Sequence, residues 1–187
     1  MKAELWYTVT VRDRYGKRIS RERRRSKSFL KQWNQLVYVQ FSQQGAYNIT
    51  DTGGTARSIG YDNINFYMDA IQGDDSHGIM VGTGNTPVDI SDYALETKCA
   101  NGVGAGQLVY WTNDVTDSVV AAPSCSFGIS RTMVNNSGGD ITAREAGIGM
   151  KMKGGFYGLA VRDVFSAAQA VPNGGAITVN WTLQVTV

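Results

Sequence analysis

The chain contains one histidine, two cysteines and three prolines among 187 residues. With His77 alone, any Ser-His-Asp or Cys-His mechanism must run through that one residue. Cys99 and Cys125 cannot by themselves complete a four-ligand zinc site, and in a cytosolic chain they read as buried thiols rather than as a bridge. No run of about eighteen apolar residues is present to span a bilayer. The N-terminal MKAELWYTVTV also lacks the apolar stretch of a secretory signal, so synthesis in a cytoplasm is the expectation. No enzyme, cofactor, metal or membrane partner is expected.

Glycine, by contrast, is abundant at 22 residues, and 42% of the chain is apolar, enough for a core within one domain. Many Thr, Val and Ser residues accompany the glycines, which favours short strands joined by tight turns. Charge is unevenly placed. Residues 12–31 hold ten Lys/Arg and two Asp/Glu, a balance of +8, so the total of +2 leaves −6 for the remainder. Such a dipolar chain can match its basic segment to its own body, to another subunit or to an anionic partner.

The β-branched and aromatic run LWYTVTV at residues 5–11, followed by a Tyr15-Gly16 turn and KRISRERR, predicts a β-hairpin with a polar second arm. Alternation would then send Arg21, Arg23 and Arg25 to one face and Arg18 and Arg24 to the other. Across residues 27–43, Phe29, Leu30, Trp33, Leu36, Val37 and Phe41 recur at helical spacing. They predict one amphipathic helix capped by Ser26 or Ser28, although VYVQF could also be a strand. INFYM and GIMVGTG read as strands, and Asp92-Tyr93-Ala94-Leu95 as one helical turn.

GQLVYWT, PSCSFGISRTMV, ITAREAGIGMKM and GFYGLAVRDVF then alternate with glycine- and asparagine-rich turns. In the last strand Ile177, Val179, Trp181, Leu183, Val185 and Val187 share one face. The expected fold is mainly β, an antiparallel sandwich or jelly roll. An N-terminal hairpin and one amphipathic helix (residues 1–44) form an assembly arm packed on a sandwich body (45–187).

Gly73-Asp-Asp-Ser-His-Gly78 reads as a solvated turn, with Asp74, Asp75 and His77 as metal ligands or His77 as a base being the sharper alternatives. GTGNTPVD lacks the Lys-Ser/Thr of a phosphate loop and reads as a turn. Trp6, Tyr61, Tyr110 and Trp111 could stack on sugars, which keeps a carbohydrate-binding or adhesion module open; core or interface packing is the alternative. The basic segment, Arg21, Arg23, Arg24, Arg25 and Lys27 with the apolar Phe29 and Trp33 beside it, is the candidate interface. Its arginines suit carboxylates of a protein partner, and nucleic-acid phosphates are the second choice, since no zinc-finger, RNP or helix-turn-helix pattern accompanies them.

Four stretches occur in order: SKSFLKQWNQLVYVQF, GIMVGTGNTPVDISDYAL, SRTMVNNSGGDITAREAGI and LAVRDVFSAAQAVPNGGAITVNWTLQVTV. Together they resemble a group of virion structural proteins of tailed bacteriophages and related archaeal viruses. GIGMKMKGG departs from the more aromatic and aliphatic strand expected after AREAG. The resemblance implies a β-rich, non-enzymatic subunit of the virion, such as a capsid-decorating or cement protein or a neck or tail component. Its partners would be copies of itself and other virion proteins such as the major capsid protein.

Overall fold

The computed structural model describes every residue other than 1, 27, 43–45, 62–64 and 187; of residues 2 and 41 it describes the backbone alone. Lys27, Gln43, Ile64 and Val187, all named in the expectations above, therefore lie outside the described residues.

The strands are β1 (Lys2–Arg12), β2 (Arg18–Arg25), β3 (Tyr47–Thr50), β4 (Ala56–Ile59), β5 (Gly78–Gly82), β6 (Val109–Tyr110), β7 (Asp114–Val115), β8 (Val119–Ala121), β9 (Ser124–Val134), β10 (Ile141–Lys151), β11 (Tyr157–Val171) and β12 (Ala176–Thr186). One helix, α1 (Lys31–Ser42), follows β2. The fold is mainly β and antiparallel, as the sequence pattern implies. The main sheet runs β2-β1-β12-β9, with β6, β7 and β8 pairing in turn along the outer edge of β9. A second sheet runs β11-β10-β5, and β3 and β4 form a separate hairpin.

The two large sheets face each other in a sandwich-like arrangement. Leu5, Tyr7, Val9 and Val11 from β1 and Ile177, Val179 and Trp181 from β12 share one buried core with Ile148, Met150, Leu159 and Val161 of the second sheet. Each such side chain stabilises the fold by about 1.5–3 kcal/mol through apolar burial. The period-two pattern of β12 holds from Ile177 to Trp181 and fades toward the strand end, where Val185 is exposed.

The N-terminal hairpin is built by Asp13, whose Oδ1 accepts the backbone N–H groups of Tyr15 and Lys17 at 2.9 Å each. Gly16 completes the turn at φ +80°, a conformation a Cβ would disfavour. The hairpin is no appendage. β1 pairs with β12 from Lys2↔Thr186 to Arg12↔Ala176, so a division at residue 44 would cut through the main sheet.

Local structure departs from expectation at four places. The helix starts at Lys31 because residues 28–30 take an extended path along the free edge of β11. Phe29 bridges Val161, the Leu30 N–H donates to the Ala160 carbonyl at 2.9 Å, and the Ser28 hydroxyl donates to Asp163 Oδ1 at 2.9 Å. Neither Ser26 nor Ser28 therefore caps the helix. The described part of INFYM forms only an isolated bridge, Tyr67↔Lys151. GQLVYWT contributes the two-residue β6, and Asp92-Tyr93-Ala94-Leu95 is an irregular loop rather than a helical turn.

Candidate assembly interface

The register of β2 against β1 decides where its arginines point. Arg21, Arg23 and Arg25 stand opposite Thr10, Thr8 and Trp6, while Arg24 stands opposite the buried Tyr7. Paired residues share a face, so Arg21, Arg23 and Arg25 lie on the outward face and Arg24 on the inward one. Arg18 sits beyond a register irregularity, opposite Arg12.

The outward face continues polar across the sheet. Arg23 begins a rung that passes through Thr8, Asn180 and Ser130 to Asp114 at the far edge. A neighbouring rung runs Arg21, Thr10, Thr178, Thr132, with the Thr178 and Thr132 hydroxyls 2.8 Å apart.

Between them, these arginines have few internal partners. Arg24 pairs with Glu22 at 3.0 Å and Arg25 with Glu4 at 3.6 Å. Arg23 lies over the Trp6 ring at 4.9 Å. Neither Arg21 nor Arg23 makes an ion pair with any described residue. Glu22 shares the inward face with Arg24: it accepts the Tyr7 hydroxyl at 3.0 Å and the Ser166 hydroxyl at 2.8 Å, tying β2 to β11.

Arg24, Arg25 and Phe29 come together in one open groove of about 720 Å³, together with Trp6, Ile90 and Val164. Trp33 is not part of it. Its ring contacts Phe29 at 5.1 Å and Phe66 at 5.4 Å and lines a separate apolar groove of about 410 Å³ with Phe127 and Leu183. The seven nominated residues thus split among a basic outward face, a mixed groove and an aromatic cluster, with Lys27 undescribed.

Two buried arginines, unmarked in the sequence reading, hold the long loops. Arg162 donates from Nε to the fully buried Glu145 at 2.7 Å and from Nη1 to Asp92 at 2.8 Å, and its Nη2 reaches the Thr86 carbonyl at 3.3 Å. Burial works against its charge, but the hydrogen bonds to Glu145 and Asp92 prevail and hold its pKa above the ordinary value. Glu145 also accepts the N–H groups of Glu96 at 3.2 Å and Thr97 at 2.9 Å. The glycines of GTG permit this approach: a Cβ on Gly82 would stand 2.5 Å from both Glu145 Oε1 and the Thr97 carbonyl. GTGNTPVD is therefore a loop clamped to the second sheet.

Among the described residues no carboxylate forms an ion pair with Arg131 of β9, although Asp74 and Asp75 lie near enough to favour its charge. It donates to five backbone carbonyls, those of Trp111, His77, Ile79, Ile71 and Asp74, at 2.6–3.2 Å. It thereby fixes residues 71–79 against the main sheet.

That segment carries His77, which is buried rather than a solvated turn residue. Its ring lies between those of Tyr67 and Tyr157, at centroid distances of 5.4 and 5.7 Å. Nδ1 faces both Asp74 Oδ2 and Ser76 Oγ at 3.3 Å, and Nε2 is buried with no partner. A nucleophile relay needs the hydroxyl on one ring nitrogen and the acid on the other, so these three groups do not form one. The Ser76 hydroxyl instead donates to Asp74. Burial lowers the His77 pKa, with Asp74 and Asp69 opposing and Lys151 and Arg131 reinforcing the shift.

Among the described residues no group of three His, Cys, Asp or Glu side chains is placed to hold a metal ion. Tyr110 is in the core, its hydroxyl donating to the Cys99 carbonyl at 2.8 Å, so it cannot stack on a sugar. Trp111 and Tyr61 are exposed. Cys99 is buried and Cys125 half-buried, and both are free thiols. No helix of the described residues is long and apolar enough to cross a membrane.

No protein-family model, curated protein or solved structure matches this chain.

Proposed function

We propose that this chain is a non-enzymatic structural subunit of a virus particle, a capsid-decorating or cement protein or else a neck or tail component, which docks on acidic surfaces of other virion proteins through β2. One observation carries the docking reading: Arg21 and Arg23 stand on the outward face of an edge strand without an ion pair to any described residue. The buried arginines, in contrast, are matched internally. Guanidinium groups held at strand spacing suit a row of carboxylates, which they bind bidentately.

The virion setting rests on the ordered resemblance of the four stretches named above. Those stretches meet in space. Thr86 and Asp92 from the second, Glu145 from the third and Arg162 from the fourth share one polar network, and Ser28 of the first binds Asp163 of the fourth. Their order in the chain thus corresponds to a single packed unit, which supports reading them as one pattern.

The test is fractionation of particle-sized material from the natural host on a density gradient, with the chain detected by antibody. Co-migration with particles, reduced by Arg21→Glu/Arg23→Glu, is the expected result. A chain confined to the soluble fractions refutes the reading.

A further inference from the structure

The main sheet ends in two edges of opposite character. One is β2, with Arg18, Arg21, Arg23 and Arg25 and the half-exposed Ile19 (52%). The other is the β7–β8 margin, where every residue from 114 to 123 is exposed, Asp114, Asp117, Val119 (60%) and Val120 (78%) among them.

 Among the described residues no strand pairs with the outer side of either edge.

We infer that copies of this chain join edge to edge, β2 of one copy lying alongside β7–β8 of the next, so that the main sheet runs on from subunit to subunit. The occupant of each edge is a second copy because the two edges complement each other in charge and lie on matched faces. Arg23 and Asp114 close the same rung at opposite ends, so both point outward. Continuing the sheet brings the Asp114 and Asp117 side of one copy to the arginines of its neighbour.

Strand direction follows from the pairing. Four successive antiparallel steps separate β2 from β7–β8, so the two edges point the same way, and the joint between copies is parallel. Charge also selects against the symmetric joints. β2 against β2 would oppose arginines, and β7 against β7 would oppose aspartates, both unfavourable across neighbouring strands. Charged edges ordinarily prevent sheet-to-sheet association. Here the opposite signs repel like edges and admit unlike ones. A head-to-tail joint of this kind yields a closed ring or an open filament, according to the rotation per copy.

The inference goes beyond the docking reading and does not depend on it, and it is tested on the purified chain without particles. Mass by sedimentation equilibrium should exceed the monomer at low salt and fall as salt rises, since exposed charges are screened over about 8–10 Å at physiological ionic strength. Arg23→Asp/Arg25→Asp and Asp114→Arg/Asp117→Arg should each weaken association about tenfold or more. An equimolar mixture of the two should reassociate, because each then offers the edge the other lacks. A wild-type monomer at every concentration, a mass indifferent to salt, or folded variants that fail to reassociate on mixing would each overturn it. Particle occupancy is read in a separate experiment, so a monomeric chain that still co-migrates with particles defeats this inference and leaves the docking reading standing.

Discussion

Glu145→Ala should cost about 3–5 kcal/mol of folding stability, the range for breaking one side of a buried ion pair. The size follows from what the carboxylate holds. Glu145 is fully buried and accepts Arg162 Nε at 2.7 Å and the N–H groups of Glu96 and Thr97 at 3.2 and 2.9 Å. Two backbone donors lose their acceptor, at about 0.5–1.5 kcal/mol each, since Glu96 and Thr97 are exposed residues whose N–H groups water can reach in part. Arg162 is only partly orphaned, because Asp92 remains at 2.8 Å and the Thr86 carbonyl at 3.3 Å. That keeps the total within the range rather than above it.

Against a total stability of about 5–15 kcal/mol for a domain, the loss is a large fraction. Urea unfolding followed by tryptophan fluorescence measures it as a lowered midpoint at unchanged slope. Asp92→Asn is the control. The Asp92 side chain is a quarter exposed and its amide replacement still accepts, so the cost should stay below about 1 kcal/mol. Equal costs for the two variants, or a smaller one for Glu145→Ala, would refute the assignment of the loop clamp to Glu145.

Two further outcomes follow from the buried groups. Because burial lowers the folded-state pKa of His77 below the unfolded value of about 6.5, the unfolded chain binds more protons between those two values. Stability is therefore greatest above about pH 6.5 and declines as pH falls through the window below it; His77→Phe should flatten that part of the melting-temperature profile, and an unaltered slope would contradict the assignment. Burial raises the Cys99 thiol to about 11, with Glu145 adding to the effect, so a thiol reagent at neutral pH should modify Cys125 in the native chain and Cys99 only after unfolding. Rapid native modification of both would refute this.

Period-two patterning made the main sheet legible. The alternation in β12 and the aromatic, β-branched run of β1 identified strands whose inward residues are the buried ones. Alternation also separated Arg21, Arg23 and Arg25 from Arg24, and the register bears this out. What the pattern could not supply was pairing between distant segments. β1 joins β12 at the opposite end of the chain, which turned a supposed arm into part of the sheet.

Residues 28–30 carried helical spacing but were captured by the edge of β11, a tertiary competitor absent from any local window. Arg131 did leave a signal: it shares parity with Ile129 and Met133 on β9, an inward position for a charged residue. Arg162 left less, since β11 is buried on both faces near it and its partners come from three separate segments. The acidic margin opposite β2 was invisible because Asp114 and Arg23 become ends of one rung only through four strand pairings.

The central claim, a structural subunit that assembles through β2, is tested most directly by cryo-EM of particle-sized material purified from the natural host. The account predicts density for this sandwich in regular copies, with the outward face or edge of β2 against a neighbouring protein and carboxylates within reach of Arg21 and Arg23. Particles without the chain, or copies whose β2 faces open solvent on every side, would contradict it.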